Sequence, residues 1–338
     1  MPPVRIAIGC SSACTPRSHA WSDGAPRESS RRSQTACEHS HAMPKISVVM
    51  AVYNGAARLP ATLESIAAQT ERDFELIVID DGSTDETPSI LAAFDDPRLR
   101  VIPQPNAGLT RALIRGCAEA TGDVIARHDC GDRSHPERFA KQLAAIGDHV
   151  LVASATRFRG PGGEELYIAE ADGDAIHLSV LHAGRATIRG IPHHASAMFR
   201  KADYDAAGGY RAQFRFAQDL DFWIRLARRG TFAILDDVLY EATIEPRSIS
   251  SLHRAEQERL TEIAIELRDG GDEATLLAEA ARVQPSRNAK PRDEAAGLYF
   301  IARCLLRRGN RAWRSYALRA IARNPLHWRA WASLLLGR

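Results

Sequence analysis

At 338 residues the chain is long enough for one large domain, or two medium ones, with a buried core. Lysine and arginine total 44 against 42 acidic residues, a formal charge of +2, so no global field argues for nucleic acid as the main partner. No window approaches the about 18 apolar residues that a membrane-spanning helix needs. The six cysteines (Cys10, Cys14, Cys37, Cys117, Cys130, Cys304) show no paired Cys-x-x-Cys spacing, which offers no zinc site and favours a reducing cytoplasm over a disulfide scaffold.

Residues 1–43 differ from everything after them. Serine, arginine, proline and histidine are frequent, and apolar periodicity is absent, so the stretch is expected to be disordered. It lacks the continuous apolar run of a secretory signal. Met43 directly precedes the first strand and is expected to be the natural start.

Regular alternation begins at Ile46. Ile46–Ala51 reads as a strand, Tyr53-Asn54-Gly55 as the turn after it, and Leu59–Gln69 as a helix with apolar positions at Leu59, Leu63 and Ile66. Glu75–Ile79 is a β-branched run suited to a buried strand. It leads into Asp80-Asp81-Gly82-Ser83, where the glycine permits a tight turn. Thr87 is expected to cap the next helix, Pro88–Phe94, whose first position tolerates proline. A short strand at Leu99–Ile102, a helix opening at Asn106 and reaching Ala120, and a strand at Val124–His128 follow. This β-α-β-α-β-α-β order predicts a mostly parallel α/β sheet with right-handed crossovers.

Three polar turns then fall at strand carboxyl ends: Tyr53-Asn54, Asp80-Asp81 and Asp129-Cys130-Gly131-Asp132. In open α/β sheets that edge is where ligands bind. No G-x-G-x-x-G follows the first strand and no G-x-x-x-x-G-K-[ST] occurs anywhere, which argues against a dinucleotide site and a P-loop. An acid-lined crevice accepts a phosphate ligand only through a cation, so the carboxylates imply Mg²⁺ or Mn²⁺. A metal-bridged diphosphate, as in a nucleotide-sugar, meets that requirement. Arg111, near the start of the third helix, would add a direct cation, with a solvated surface arginine as its alternative.

In the second half, His149–Ala153 and Glu164–Ala169 read as strands, Ile176–His182 as a short helix, and Ile191–Arg200 as a strand entering the site. Asp219 and Asp221 stand at the first turn of a helix that Gly230 ends, where the helix dipole favours negative charge. His128 is expected to face the sheet and Trp223 the core. From about residue 250 the pattern is helical: Leu252–Leu267, Ala295–Arg308, Ala312–Arg323 and Trp328–Leu335. The helix, Gly309-Asn310, helix, Asn324-Pro325 order is similar to one tetratricopeptide unit. Arginines and Trp313, Trp328 and Trp331 make this tail either a solvated basic cap or a peripheral contact with the cytoplasmic face of an anionic membrane.

Taken together, Ile46–Gly55, Asp80–Ser83, Ile125–Asp132 with Pro136–Arg138, His194–Arg200, Gly208–Tyr210 and Ala217–Trp223 resemble the family 2 glycosyltransferases, in that family's order, over roughly residues 45–250. The resemblance implies a GT-A fold for residues 44–250, a donor half of about 44–150, an acceptor half of about 151–250, and a helical extension over 251–338. It implies a nucleotide-diphospho-sugar donor, inversion at the anomeric carbon, and a glycan or lipid-linked acceptor in surface polysaccharide or glycolipid synthesis. Ala51, Tyr53, Asn54, Asp80 and Asp81 fall on the nucleotide side, with Tyr53 and Asp81 at the base. Asp129 and Asp132 fall on the metal, and Asp219 at the catalytic base. His194, Gln218 and Asp221 fall near the acceptor or the donor–acceptor junction, with a buried histidine bonded to backbone as the alternative for His194 and a structural role as the alternative for Asp221.

The chain departs from the family at two places. Gly131 replaces the second aspartate of the metal motif, and Gln218 replaces the glutamate before the base. Sugar-phosphate nucleotidyl transfer remains an alternative, although Asn54–Arg58 is a poor version of its glycine-rich loop. A non-catalytic nucleotide-sugar-binding module is another.

Overall fold

Alternate residues of the first strand face opposite layers. In β1 (Ile46–Val52), Val48 and Met50 pack with Leu59, Leu63 and Ile66 of α1 (Leu59–Ala67), while Val49 packs on the other side with Leu113 and Cys117 of α3 (Leu109–Ala118). Both faces are covered, which is why the strand reads as an unbroken apolar run. These positions belong to a computed structural model that describes residues 46–337, apart from 186, 189–190, 249–251 and 286–290. The extension at residues 1–43 and the proposed start at Met43 lie outside the described residues.

The amino-terminal half follows the expected alternation: β2 (Phe74–Asp80), α2 (Thr87–Ala93), β3 (Leu99–Pro103), α3 and β4 (Val124–Asp129). β1 pairs in parallel with β2 and β4, and β2 with β3. Beyond β4 the sheet is mixed rather than mostly parallel. β5 (Arg133–Ser134), α4 (Arg138–Ala145), β6 (Leu151–Arg159), β7 (Glu165–Ala169), α5 (Gly173–His182), β8 (Met198–Arg200), α6 (Lys201–Ala206), α7 (Gln218–Ala227) and β9 (Phe232–Thr243) complete it. The strand order is β3-β2-β1-β4-β8-β6-β9-β5, with β7 paired to β6. β8 runs antiparallel to both β4 and β6, while β6 and β9 are parallel.

Two local expectations are corrected. Thr87 is the first residue of α2, not its cap, and its Oγ1 accepts a bond from Gly55 N (2.9 Å), tying α2 to the turn after β1. Residues 191–200 do not form one strand: a 3₁₀ turn at His194–Ser196 intervenes and only Met198–Arg200 joins the sheet. That turn separates the directions of the two adjacent histidines. Gly82 has φ +77°, and a Cβ there would lie 2.8 Å from Asn106 N, so the Asp80–Ser83 turn requires glycine on both counts.

The carboxyl-terminal helices pack against this sheet in two groups. α8 (Arg254–Arg268) and α9 (Glu273–Arg282) contribute Leu260, Ile263, Leu276 and Ala280 to the core around α7. α10 (Pro291–Arg307), α11 (Trp313–Arg323) and α12 (Trp328–Leu336) form a separate cluster around Leu298, Ile301, Leu305, Trp313 and Tyr316, joined to the sheet through Leu166 of β7. Tyr316 Oη donates to Glu164 (3.0 Å) and Arg308 pairs with Glu165, fixing this group to the β6–β7 edge. No helix among the described residues is long and apolar enough to cross a membrane.

Candidate active site

Parallel register brings the three turns to one edge. Ala51 sits between Ile79 of β2 and Asp129 of β4, so the chain leaves β1, β2 and β4 at the same level. The first two turns are laced together. Asp81 N donates to Val52 O (2.8 Å), Asn54 N to Ser83 Oγ (2.9 Å), and Thr84 N to Asn54 Oδ1 (2.8 Å). Asp80 Oδ1 accepts from Ser83 N (3.0 Å). Asn54 and Asp80, expected on the nucleotide, therefore spend their side chains building the turn. Asn54 holds φ at +51°, in the left-handed region that asparagine tolerates better than most residues.

Asp81 organises the opposite wall. Its carboxylate accepts from Gln104 Nε2 (2.6 Å), Ala107 N (2.8 Å) and Gly108 N (2.8 Å), which pins the β3–α3 loop across the crevice. Tyr53, the residue after β1, is 53% exposed. Arg111, on the first turn of α3, is exposed.

At β4 the chemistry is denser. Arg127 is fully buried within the strand, and the two-residue period puts it on the same face as Asp129, whose Oδ1 it binds at 2.5 Å. Asp129 N donates to Tyr240 Oη (3.1 Å), and Asp132 Oδ1 accepts from Thr243 N (3.0 Å), so β9 holds both acids from behind. Burial pushes Asp129 up, but Arg127 and then His194 and His193 outweigh it and hold the carboxyl down near about 2. Burial, then the charge of Asp129, pushes Asp132 well above the usual carboxylate range. The two acids are thereby pushed apart, Asp129 toward the charged form and Asp132 toward the protonated one.

His193 completes the group. It offers a ring nitrogen to a set with Asp129 and Asp132 whose ligand atoms all lie within 4.8 Å of one another. Burial lowers its pKa to about 4, so the ring is neutral, and its buried Nδ1 has no hydrogen-bond partner. An unpartnered neutral imidazole beside two carboxylates is a donor set that fits a divalent cation. For His194 the resemblance implies a junction role, with a buried histidine as its alternative, and the structure favours the second. That residue is turned into the core: it is 8% exposed, and its Nε2 shares a 2.7 Å hydrogen bond with Tyr210 Oη, edge-on to Trp223. His128 likewise faces inward, bonded to Ser134 (3.1 Å), and Trp223 is fully buried as expected.

Gly131 has φ +101°, a conformation an aspartate adopts only with strain. A Cβ there would point at Arg58, 3.2 Å from its Cδ. Arg58, at the entry to α1, is half-exposed and paired with Glu245. Where the family's second aspartate would stand, this chain has an arginine side chain.

On the acceptor side α7 begins abruptly. Ala217 has φ +53°, an uncommon conformation for a residue with a Cβ, and it aims the first turn of the helix. Asp219 is half-buried there, with Oδ1 accepting from Leu220 N (2.9 Å). Burial raises its pKa, against that bond and the pull of Arg127. The same carboxyl also feels the charge of Asp129, so the two acids share one field. Gln218 is buried beside it. Asp221, expected to be structural or acceptor-facing, fits the structural role: it is 3% exposed and paired with Arg225 (2.6 Å) and Arg211 (3.4 Å). A separate cleft of about 380 Å³, lined by Glu64, Arg133, His135, Arg157 and Glu241, includes none of the candidate nucleotide, metal or catalytic residues.

Residues 47–206 match the family model described as Glycosyl transferase family 2. EpsE of Bacillus subtilis, described as a glycosyltransferase, is 35% identical over 196 residues, covering 55% of this chain and 68% of that protein. A PGL/p-HBAD biosynthesis glycosyltransferase of Mycobacterium tuberculosis is 32% identical over 196 residues, covering 54% of this chain and 70% of that one. Among solved structures, the mannosyltransferase PcManGT of Pyrobaculum calidifontis, in complex with GDP-Man and Mn²⁺, superposes with a TM-score of 0.53 at 20% identity, covering 84% of this chain and 87% of that one.

Proposed function

This chain belongs to glycosyltransferase family 2, and from that premise we propose that its crevice transfers a sugar from a nucleotide-diphospho-sugar to a hydroxyl acceptor, with inversion at the anomeric carbon. The observation that supports this reading best is the Asp129–Asp132–His193 group at the carboxyl end of β4, whose ligand atoms lie within 4.8 Å of one another and suit a cation, with Asp219 close enough to feel the charge of Asp129. Asp219 takes the proton of the acceptor hydroxyl as its oxygen bonds to the anomeric carbon and the bond to the leaving diphosphate breaks. A raised pKa makes Asp219 a better proton acceptor than an ordinary carboxylate. Asp129, Asp132 and His193 would hold a divalent cation, which when bound draws charge from the departing diphosphate. Arg58, paired with Glu245, packs its side chain over Gly131, where its guanidinium would reach for the departing diphosphate directly.

Tyr53 and Asp81 read the nucleotide base, the first by stacking and the second through the loop it pins. The acceptor is a glycan or a lipid-linked glycan, in surface polysaccharide or glycolipid synthesis. Residues 44–250 carry the transfer, and residues 251–338 brace it.

A thermal-shift panel of UDP, GDP and dTDP with and without Mn²⁺ tests the reading, because a ligand that binds only the folded state raises the melting temperature in proportion to its affinity. Metal-enhanced stabilisation by one member of the panel is expected. Silence across all of them would leave a module that binds no donor and would overturn the proposal. Tyr53→Ala should weaken binding of that nucleotide about 5- to 150-fold, the range for loss of one base–aromatic stack. Calorimetry on the mutant checks this, and an unchanged Kd would remove Tyr53 from the base site.

A further inference from the structure

The last helix is built with its apolar side outward. On α12 the buried positions are small, Ala330 and Ser333, with Leu334 half-buried against the helical cluster. Trp328, Trp331, Leu335 and Leu336 are instead 69%, 45%, 80% and 70% exposed, and Leu326 just before them is 87% exposed. The 3.6-residue period puts 328, 331 and 335 on one stripe, so these side chains form a contiguous patch rather than scattered singles. Patches of this kind mark interaction sites.

Charge identifies the occupant. Residues 295–338 hold nine arginines and no lysine, aspartate or glutamate, in a chain whose total formal charge is only +2. Two of these arginines are paired with acids from outside this stretch, Arg308 with Glu165 and Arg323 with Glu294. Arg314, Arg319 and Arg329 stay exposed, each over an aromatic ring of its own helix. An outward stripe of tryptophan and leucine flanked by arginine matches a headgroup boundary, where tryptophan partitions and arginine meets lipid phosphate. At about 1.5 Å per residue α12 spans only about 14 Å, which suits lying in the interface and not crossing it. We infer that α11 and α12 dock this protein on an anionic lipid surface.

The inference does not depend on the transfer chemistry, and its test has its own readout. The full chain is sedimented with vesicles of phosphatidylcholine alone or mixed with phosphatidylglycerol. At least tenfold tighter retention on the anionic vesicles is expected, weakening as salt rises. Because one arginine near an anionic surface contributes about fivefold, the Arg314→Gln, Arg319→Gln, Arg329→Gln triple variant should bind on the order of 10²-fold more weakly. Trp328→Ser with Trp331→Ser should abolish retention. Unchanged far-UV circular dichroism and nucleotide-induced thermal shift in these surface variants would exclude misfolding. Equal retention on both vesicle types, or retention indifferent to both sets of changes, would overturn the inference. So would a stable dimer in sedimentation velocity that the tryptophan pair dissolves, because the patch would then belong to a second copy of the chain.

Discussion

Replacing Asp219 with asparagine should lower turnover by at least ~10²-fold, the range for loss of a general base. The substitution keeps an oxygen that can accept the bond from Leu220 N, so the start of α7 should persist and the loss should be chemical. Donor KM should change little, because no contact proposed for the nucleotide involves this residue. The wild-type pH profile supplies a second readout. Burial raises the pKa of Asp219, so activity should fall as pH drops through a value above the ordinary carboxylate range, where the base takes up a proton and stops working. That acid limb should be missing from whatever residual activity the mutant retains. Asp221→Asn is the matched control. Its carboxylate is buried against Arg225 and Arg211, so the change should cost about 3 kcal/mol of stability, measured by denaturant unfolding, with kcat near normal. Near-normal transfer by Asp219→Asn, or collapse of kcat in Asp221→Asn, would reverse the two assignments.

That pair of aspartates illustrates what a sequence reveals and what it withholds. Both sit at the first turn of one helix, and dipole placement explains either equally well. The i,i+4 spacing of Asp221 and Arg225 is a sequence signal for the ion pair that Asp219, with Trp223 four residues on, does not share, and the structure adds Arg211. The parallel half of the fold was legible because β1, β2 and β4 are buried on both faces, and their apolar runs end sharply in polar turns. The second half was less so. β9 carries Asp236, Asp237 and Glu241, which break its apolar pattern, and β5 is two residues long. Neither leaves a clear strand signal, yet β9 positions Tyr240 and Thr243 behind Asp129 and Asp132.

His193 was hidden for a related reason. Two adjacent histidines look interchangeable in sequence, and the 3₁₀ turn that directs one to Asp129 and the other to Tyr210 is set by tertiary packing. Arg127 did leave a signal. A charge inside an apolar strand demands a partner, and the residue two positions on is Asp129. Arg58 was written off as part of a poor glycine-rich loop, and only the direction of the missing Cβ at Gly131 gives it a role.

Metal binding should be strongly pH-dependent, and Asp132 should be the reason. In the metal-free protein burial and the neighbouring charge of Asp129 push Asp132 toward its protonated form, because two adjacent carboxylates in one site do not ionise together cheaply. A cation ligated by both must expel that proton, so Mn²⁺ affinity should rise about tenfold per pH unit until the raised pKa of Asp132 is passed. Asp132→Asn should flatten the dependence, and His193→Ala should weaken binding about 10- to 100-fold through loss of one neutral ligand. Titration of Mn²⁺ followed by electron paramagnetic resonance measures both without any transfer assay. Stability follows the same proton. Asp132 has a folded pKa above its unfolded one, so its contribution is complete below the ordinary carboxylate range and is lost as pH rises through the raised value. The metal-free melting temperature should therefore fall across that window, and saturating Mn²⁺ should restore it. Mn²⁺ affinity that ignores pH, or transfer that survives EDTA unchanged, would leave Arg58 as the principal cation at the diphosphate and remove the metal from the mechanism.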